Sequence, residues 1–496
     1  MIGHPMPAAG GRDPAGWPHA VVRGESLWLC LLVLASLGCF VNTRNQVTWN
    51  LQHAWVESLG ERGVMHLEGS PTPRFALDRL VDVWTSPDGH THARNAPGTY
   101  FTGAAVYRVL HRAFGLSYLR DFDLTSTLVT FFTTCLSSAL VFLLLYQLAK
   151  QVTGSRLGGV CVAGAYSFGT LAFPYSGTLY QHQTAAVFFV GCFSLAFWRR
   201  RSGDERWFRP ALEGLLLGLG TAYSFAYLPL GLCIAAYCLA PLRRRRIVLF
   251  LVGVAVGVAP LLAINALYYG GPLTTVYQAS RDYQVTTLEV SWAAIARRLH
   301  FYFSDPTTGL FFYSPVLLLS APGLLLFPRE LRRERLTIGA GVLLTLSHLL
   351  VASGIGALQF GPRLVLPALP FLALACFPFW ISEPGRTPTA WARLAFVLLL
   401  VPSISFCALG ALGTTMFRDV ARWNAWYVYL RSLFPPVPEG MPVYNLAIYT
   451  FPLRRVLAWV ALGVGVVAVW RLIALRHEAA RDARRGHAPG ERALRG

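Results

Sequence analysis

An all-α integral membrane bundle of about twelve transmembrane helices is the fold that this sequence predicts. Three observations carry it. Of the 496 residues, 54% are hydrophobic and only 14% charged, with a mean hydropathy of +0.46. A soluble chain of this length needs far more polar surface to cover its core. Apolar runs of about 17 to 25 residues recur from end to end, each long enough to span a hydrocarbon layer. The excess of positive charge, +19 in all, sits in short segments between those runs. Loops facing anionic lipid have that pattern, so a lipid surface is the expected partner and nucleic acid is not.

The first run, from about Ser26 to Phe40, follows a Gly/Pro-rich tail and lacks a small-residue cleavage site, so it is read as a retained helix. The expected organisation is a cytoplasmic tail at 1–25, a transmembrane domain at 26–474 and a basic cytoplasmic tail at 475–496. Within the domain, a helix at 26–42 precedes a long outer loop at 43–122. Spans follow near 124–148, 157–173, 183–199, 210–222, 225–241, 246–267, 311–327, 336–352, 364–381, 393–412 and 455–474. In this arrangement Arg199–Arg201, Arg243–Arg246, Arg329 to Arg335 and the C-terminal arginines share one side, which the positive-inside rule makes cytoplasmic, together with both termini. Counting 98–113 as a span would scatter these clusters, so it is read as a helix lying in the interface. All nine cysteines fall in apolar runs, without a CxxC, and are expected to pack as small hydrophobes.

The first outer loop is longer than a connection requires. Val47, Leu51, Trp55 and Leu59 recur every fourth residue, with Asn50, His53, Glu57 and Glu61 expected to face away. That pattern predicts an amphipathic interfacial helix. Pro97-Gly98 opens a second, apolar at Phe101, Ala104 and Ala105 and polar at Arg108, His111 and Arg112. Neither internal repeats nor paired interrupted spans are evident, which weighs against a transporter. The spans hold almost no carboxylate except Glu213, whereas ion-coupled pumps keep such groups at mid-membrane depth.

Ionisable groups gather instead on the outer face. Asp78 and Asp82 precede Pro87-Asp88-Gly89, a turn signal, and then His90, His92 and Arg94 ahead of the helix that starts at Pro97-Gly98. An arginine and histidines beside a helix N-terminus suit an anion, and a carboxylate such as Asp82 suits a general base. The alternative is a solvated loop. His90-x-His92 would supply two ligands to a divalent metal, but the sequence offers no third, and no metal residues are assigned. Tyr175, His182, Tyr277, Arg281 with Asp282-Tyr283, His300 with Ser304-Asp305, and Gln359 to Arg363 lie near outer ends of spans. Arg363 is the foremost phosphate candidate, because an outer arginine runs against the positive-inside trend; an interfacial anchor is its alternative. Trp423, Trp426, Tyr427 and Tyr429 in the last loop form an interface belt or a platform for sugar rings.

The layout of one helix, a long outer loop with interfacial helices and a multi-span bundle resembles the GT-C membrane glycosyltransferases, and more closely the bacterial glycosyltransferase 39-like proteins. The similarity lies in Asp82 followed by Asp88-Gly89-His90-Thr91-His92-Ala93-Arg94-Asn95-Ala96-Pro97-Gly98, then Phe173-Pro174-Tyr175 with His182, Asn265 with Gly271-Pro272, Gly309-Leu310-Phe311 with Tyr313-Ser314-Pro315, and Gly361-Pro362-Arg363. It extends over about residues 45 to 370. The resemblance implies an inverting transfer of sugar from a polyprenyl-phosphate donor to a glycan, lipid or protein acceptor, at the outer face of the bacterial inner membrane. It implies an Asp base, Asp82 or Asp78, with His90, His92, Arg94, Tyr175, His182, Arg281 and Arg363 binding substrate, and divalent-metal dependence left open. One departure stands out: better-studied members place an Asp just after the first helix, where this chain reads Asn42-Thr43-Arg44-Asn45-Gln46. A flippase of lipid-linked glycans and a non-catalytic envelope-assembly scaffold are the rival readings.

Overall fold

The computed structural model describes residues 24–41, 47–80, 82–203, 206–280, 290–306, 308–351, 360–381 and 388–412. Arg281, Gln359, the last loop with its tryptophans and tyrosines, the span expected at 455–474 and both tails lie outside the described residues.

Helices dominate. Five of the described ones are long and apolar enough to cross a membrane: Phe122–Thr153, Arg244–Tyr268, Arg329–Val351, Arg363–Trp380 and Ala390–Ala411. Other expected spans form shorter helices, among them Gly24–Gly38, Arg156–Gly169, Arg209–Tyr223 and Phe225–Leu239. The run expected at 311–327 is not one helix. Pro315 and Pro322 lack the N–H that an α-helix interior uses, and the segment breaks into Leu310–Tyr313, a 3-10 stretch Pro315–Leu319 and Ser320–Leu325. Depth within the bundle differs between helices. Of the most apolar window of Arg244–Tyr268 only 28% is buried, so Val248, Leu251, Val252 and Val256 point outward; in Arg363–Trp380 the share is 83%. Arg363 therefore heads one of the most enclosed helices.

Arg209–Tyr223 and Arg244–Tyr268 pack backbone to backbone. Gly214 and Gly218 face Gly253 and Gly257, and a Cβ at Gly214 or Gly253 would collide with the carbonyl of Phe250 or Ala211. Small residues four apart let membrane helices approach so closely, where apolar burial offers no drive for association. Beside this seam, Arg199 and Glu213 are 3% and 0% exposed and form a bidentate pair, Nε to Oε1 at 2.7 Å and Nη2 to Oε2 at 3.2 Å. The sequence placed Arg199 at the end of the span near 183–199, in a cluster on the cytoplasmic side. The helix Gln181–Ser202 runs on past Trp198 and carries Arg199 inward to Glu213.

The first loop departs most from expectation. The helix Val47–Glu57 exists, but its polar side is not solvated: His53 and Glu57 are 4% and 1% exposed. His53 bonds Tyr118 Oη at 2.9 Å, and burial pushes its pKa down to about 3, so it is neutral. Glu57 accepts from Ser70 and Thr72. Burial pushes Glu57 up, and these bonds offset part of the shift. The loop builds its own core from Leu51, Trp55, Leu67, Phe75, Tyr100, Tyr107 and Tyr118, so the helix is enclosed rather than laid on a surface. The second helix, Gly98–Phe114, buries Tyr100, Gly103, Ala104, Tyr107 and Leu110 and turns Phe101, Val109 and Phe114 outward. Its apolar set is thus split between the two faces. Between the helices lies a feature the sequence reading did not include, a two-stranded antiparallel ribbon of β1 (Val83–Thr85) and β2 (Thr91–Ala93), with Trp84 opposite His92.

Two predictions follow from this packing. Gly214→Val should lower the thermal midpoint of the detergent-purified protein and reduce its membrane yield, because the helices cannot part without losing the seam; an unchanged midpoint would refute close packing there. Glu213→Ala strands a buried guanidinium and should destabilise by about 3–5 kcal/mol, whereas Arg199→Leu with Glu213→Leu should be nearly neutral. The comparison of midpoints for the single and double variants decides it.

Candidate functional site

The start of the helix Gln181–Ser202 packs against the start of Arg363–Trp380, and the ribbon packs its Trp84 and His92 against Tyr268 and Tyr269. Gly361 turns the chain at φ +63°, a left-handed conformation that suits glycine, and Pro362 then fixes the entry to a 3-10 turn beginning at Arg363. The turn presents the Arg363 guanidinium 5.2 Å over the Tyr180 ring, with a hydrogen bond to Tyr180 as well. Tyr175, fully buried, lies close enough to act on it electrostatically, and so does Asp82. Among the described residues, Arg363 Nε is buried with no hydrogen-bond partner.

His182 stands beside this cation. Its ring packs edge-on to Tyr180, 4.8 Å between centroids, and to Tyr227 at 5.6 Å. Tyr227 Oη donates its single proton to the carbonyl oxygen of Leu364 at 2.7 Å. Its 3.0 Å bond to His182 Nδ1 must therefore be donated by the histidine. That assigns the neutral tautomer with the proton on Nδ1 and leaves a lone pair on Nε2. Nε2 is buried without a partner. Tyr302, 1% exposed, adds a third unsatisfied atom, its Oη, within electrostatic range of Arg363. Tyr100 hydrogen-bonds Gln181 at 3.3 Å and closes the wall toward the helix Gly98–Phe114. Among the described residues, two unsatisfied buried atoms, His182 Nε2 and Tyr302 Oη, thus accompany the unsatisfied Nε of the Arg363 cation, where buried polar atoms rarely stay unpaired.

Asp82 reaches the cluster through the ribbon. It stands just ahead of β1 with φ +60°, a conformation that Asp and Asn adopt more readily than most residues. Its carbonyl accepts the Arg94 N–H at 2.9 Å, which ties Arg94 to the same end of the ribbon. The Asp82 side chain is exposed. Asp78 is exposed on the 3-10 turn Leu77–Arg79, and Asp82 is the carboxylate felt by Arg363.

The residues singled out from sequence thus divide. Tyr175 and His182 lie near Arg363, and Asp82 acts on it electrostatically. His92 is 2% exposed and packs against Trp84 and Tyr268, at 5.9 and 5.6 Å between ring centroids. His90 sits apart, on the exposed turn, stacked on His66. Tyr180, Tyr227 and Tyr302 were missed. Their one signal in sequence was position near the ends of apolar runs, a place where tyrosines are common for interfacial reasons alone.

No family model and no curated protein matches this chain. Among solved structures, that of ArnT from Cupriavidus metallidurans bound to undecaprenyl phosphate is similar, with a TM-score of 0.48 over 92% of this chain and 76% of that one, at 14% sequence identity. A likeness of that degree has no bearing on the chemistry of this chain.

Proposed function

We propose that this protein is a membrane glycosyltransferase that moves a sugar from a polyprenyl-phosphate carrier to an envelope glycan, lipid or protein. The observation that supports this most is the unpartnered Nε of Arg363 in its ring of tyrosines, with the unpartnered Nε2 of His182 beside it. A guanidinium with a free donor suits a phosphate oxygen, and phenolic hydroxyls suit its remaining oxygens. The order of motifs in the sequence points the same way.

In the reaction, the acceptor hydroxyl oxygen attacks the anomeric carbon and forms the glycosidic bond. The bond from that carbon to the carrier phosphate oxygen breaks, and the polyprenyl phosphate leaves with the electron pair. The hydroxyl proton passes to the Asp82 carboxylate. Arg363, with the Tyr302 hydroxyl, balances the charge that builds on the phosphate in a site largely shielded from water. His182 Nε2 accepts a hydrogen bond from a sugar hydroxyl and orients the ring. Displacement in one step inverts the anomeric centre.

Arg363→Ala should reduce transfer by about 10²–10³-fold, with Arg363→Lys intermediate because it keeps the charge and loses the planar fork. Asp82→Asn keeps the left-handed backbone accessible and removes only the base, so it should cost about 10²–10⁴-fold with membrane insertion intact. Both are read by following the lipid-linked sugar pool and the envelope glycans in strains carrying each form. Full activity of the Asp82 variant removes it as base. Loss of carrier translocation with no change in glycosidic bonds would make the protein a flippase instead.

A further inference from the structure

A second polar cluster lies on the ribbon, away from Arg363. The chain from Met65 to Glu68 runs beside β2: Leu67 N–H bonds the Thr91 carbonyl at 2.9 Å, and Trp55 Nε1 bonds the Met65 carbonyl at 2.8 Å. This fixes the backbone under two side chains, His66 and Glu68, which alternate to the same side of an extended segment. The turn Ser86–His90 brings His90 over them. The imidazoles of His66 and His90 stack at 4.5 Å and 20°. Glu68 Oε1 accepts the Thr91 N–H, which aims Oε2 between the rings, 3.0 Å from His66 Nδ1 and 3.8 Å from His90 Nδ1. The three atoms lie within 4.8 Å of one another.

The ion-pair explanation accounts for this poorly. His66 Nδ1 and Glu68 Oε2 are both buried atoms, and neither makes a directed hydrogen bond despite their approach. Burial pushes Glu68 up, but its bonds to Thr91 and its own backbone, with His66 nearby, outweigh that and hold it below the usual carboxylate range.

We infer that His66, Glu68 and His90 form a binding site for a divalent zinc-class cation. Two imidazole nitrogens and one carboxylate oxygen are a donor set typical of zinc, and ligand atoms around a tetrahedral ion stand about 3.3 Å apart, between the two distances found here. The side chains of His66, Glu68 and His90 are 27%, 31% and 51% exposed, which leaves one side open for entry and for a fourth, water ligand. The ion joins the segment 65–68 to the turn of the ribbon whose other end carries Asp82. The site does not depend on the transfer reaction, and its test reads metal rather than activity.

Full-length protein purified without a polyhistidine tag is stripped with chelator and titrated with Zn²⁺ by calorimetry, with bound metal counted. The wild type should take one zinc per chain. His66→Ala, His90→Ala and Glu68→Gln should each weaken it at least about 10–100-fold, while His300→Ala, on an exposed histidine elsewhere, should not. Equal binding by the wild type and the three variants, or no stoichiometric binding by the wild type, overturns the site. If the variants melt below the metal-free wild type, zinc X-ray absorption on the wild type decides: two imidazole nitrogens around the ion uphold the site, and fewer overturn it.

Discussion

Arg363 must be partnered, because a guanidinium at the head of a helix that is largely enclosed loses much of its water, and a charge without water or counter-charge is expensive. Among the described residues, the protein answers with tyrosines. Tyr180 bonds and underlies the guanidinium, Tyr175 stands close, and Asp82 acts from the ribbon. An intimate carboxylate would saturate the cation and leave nothing for a ligand. Phenol rings stabilise it by their π-faces and hydroxyls while one donor remains uncommitted. The position of Gly361, the Tyr227 relay to His182 and the approach of the ribbon all serve that arrangement.

The opposite solution is found at Arg199. There the guanidinium is closed off by both oxygens of Glu213, with the Cys238 carbonyl taking a further donor at 2.8 Å. The pair sits beside a helix seam whose glycines allow no slack. The two arginines show how differently the same side chain is partnered, by a bidentate carboxylate in one case and by a tyrosine ring in the other.

The first loop carries the same logic outward from the bundle. It has a core of its own, so it can hold a ribbon in a fixed orientation instead of trailing across a surface. His53 and Glu57 are absorbed into that core by Tyr118, Ser70 and Thr72. The ribbon in turn presents Asp82 at one end and His90 at the other.

From sequence alone, the helical membrane architecture was legible, because a hydrocarbon layer imposes a length and a polarity on every crossing that composition cannot disguise. So were the two helices of the first loop, the turn at Pro87-Asp88-Gly89 and the outlying arginine at 363. Those are local signals, written in runs, periods and turn residues. Tertiary structure alone decided the rest. His53 and Glu57 looked solvated because periodicity reports one face of a helix and not what packs against the other. Arg199 was read only as part of a basic cluster at a span end because its partner lies on the next helix. Tyr180, Tyr227 and Tyr302 come to Arg363 from three different segments, and His66 and Glu68 meet His90 across more than twenty residues of chain. A site assembled from the ends of separate elements leaves no spacing in the sequence, since what brings its atoms together is packing, and packing acts through space.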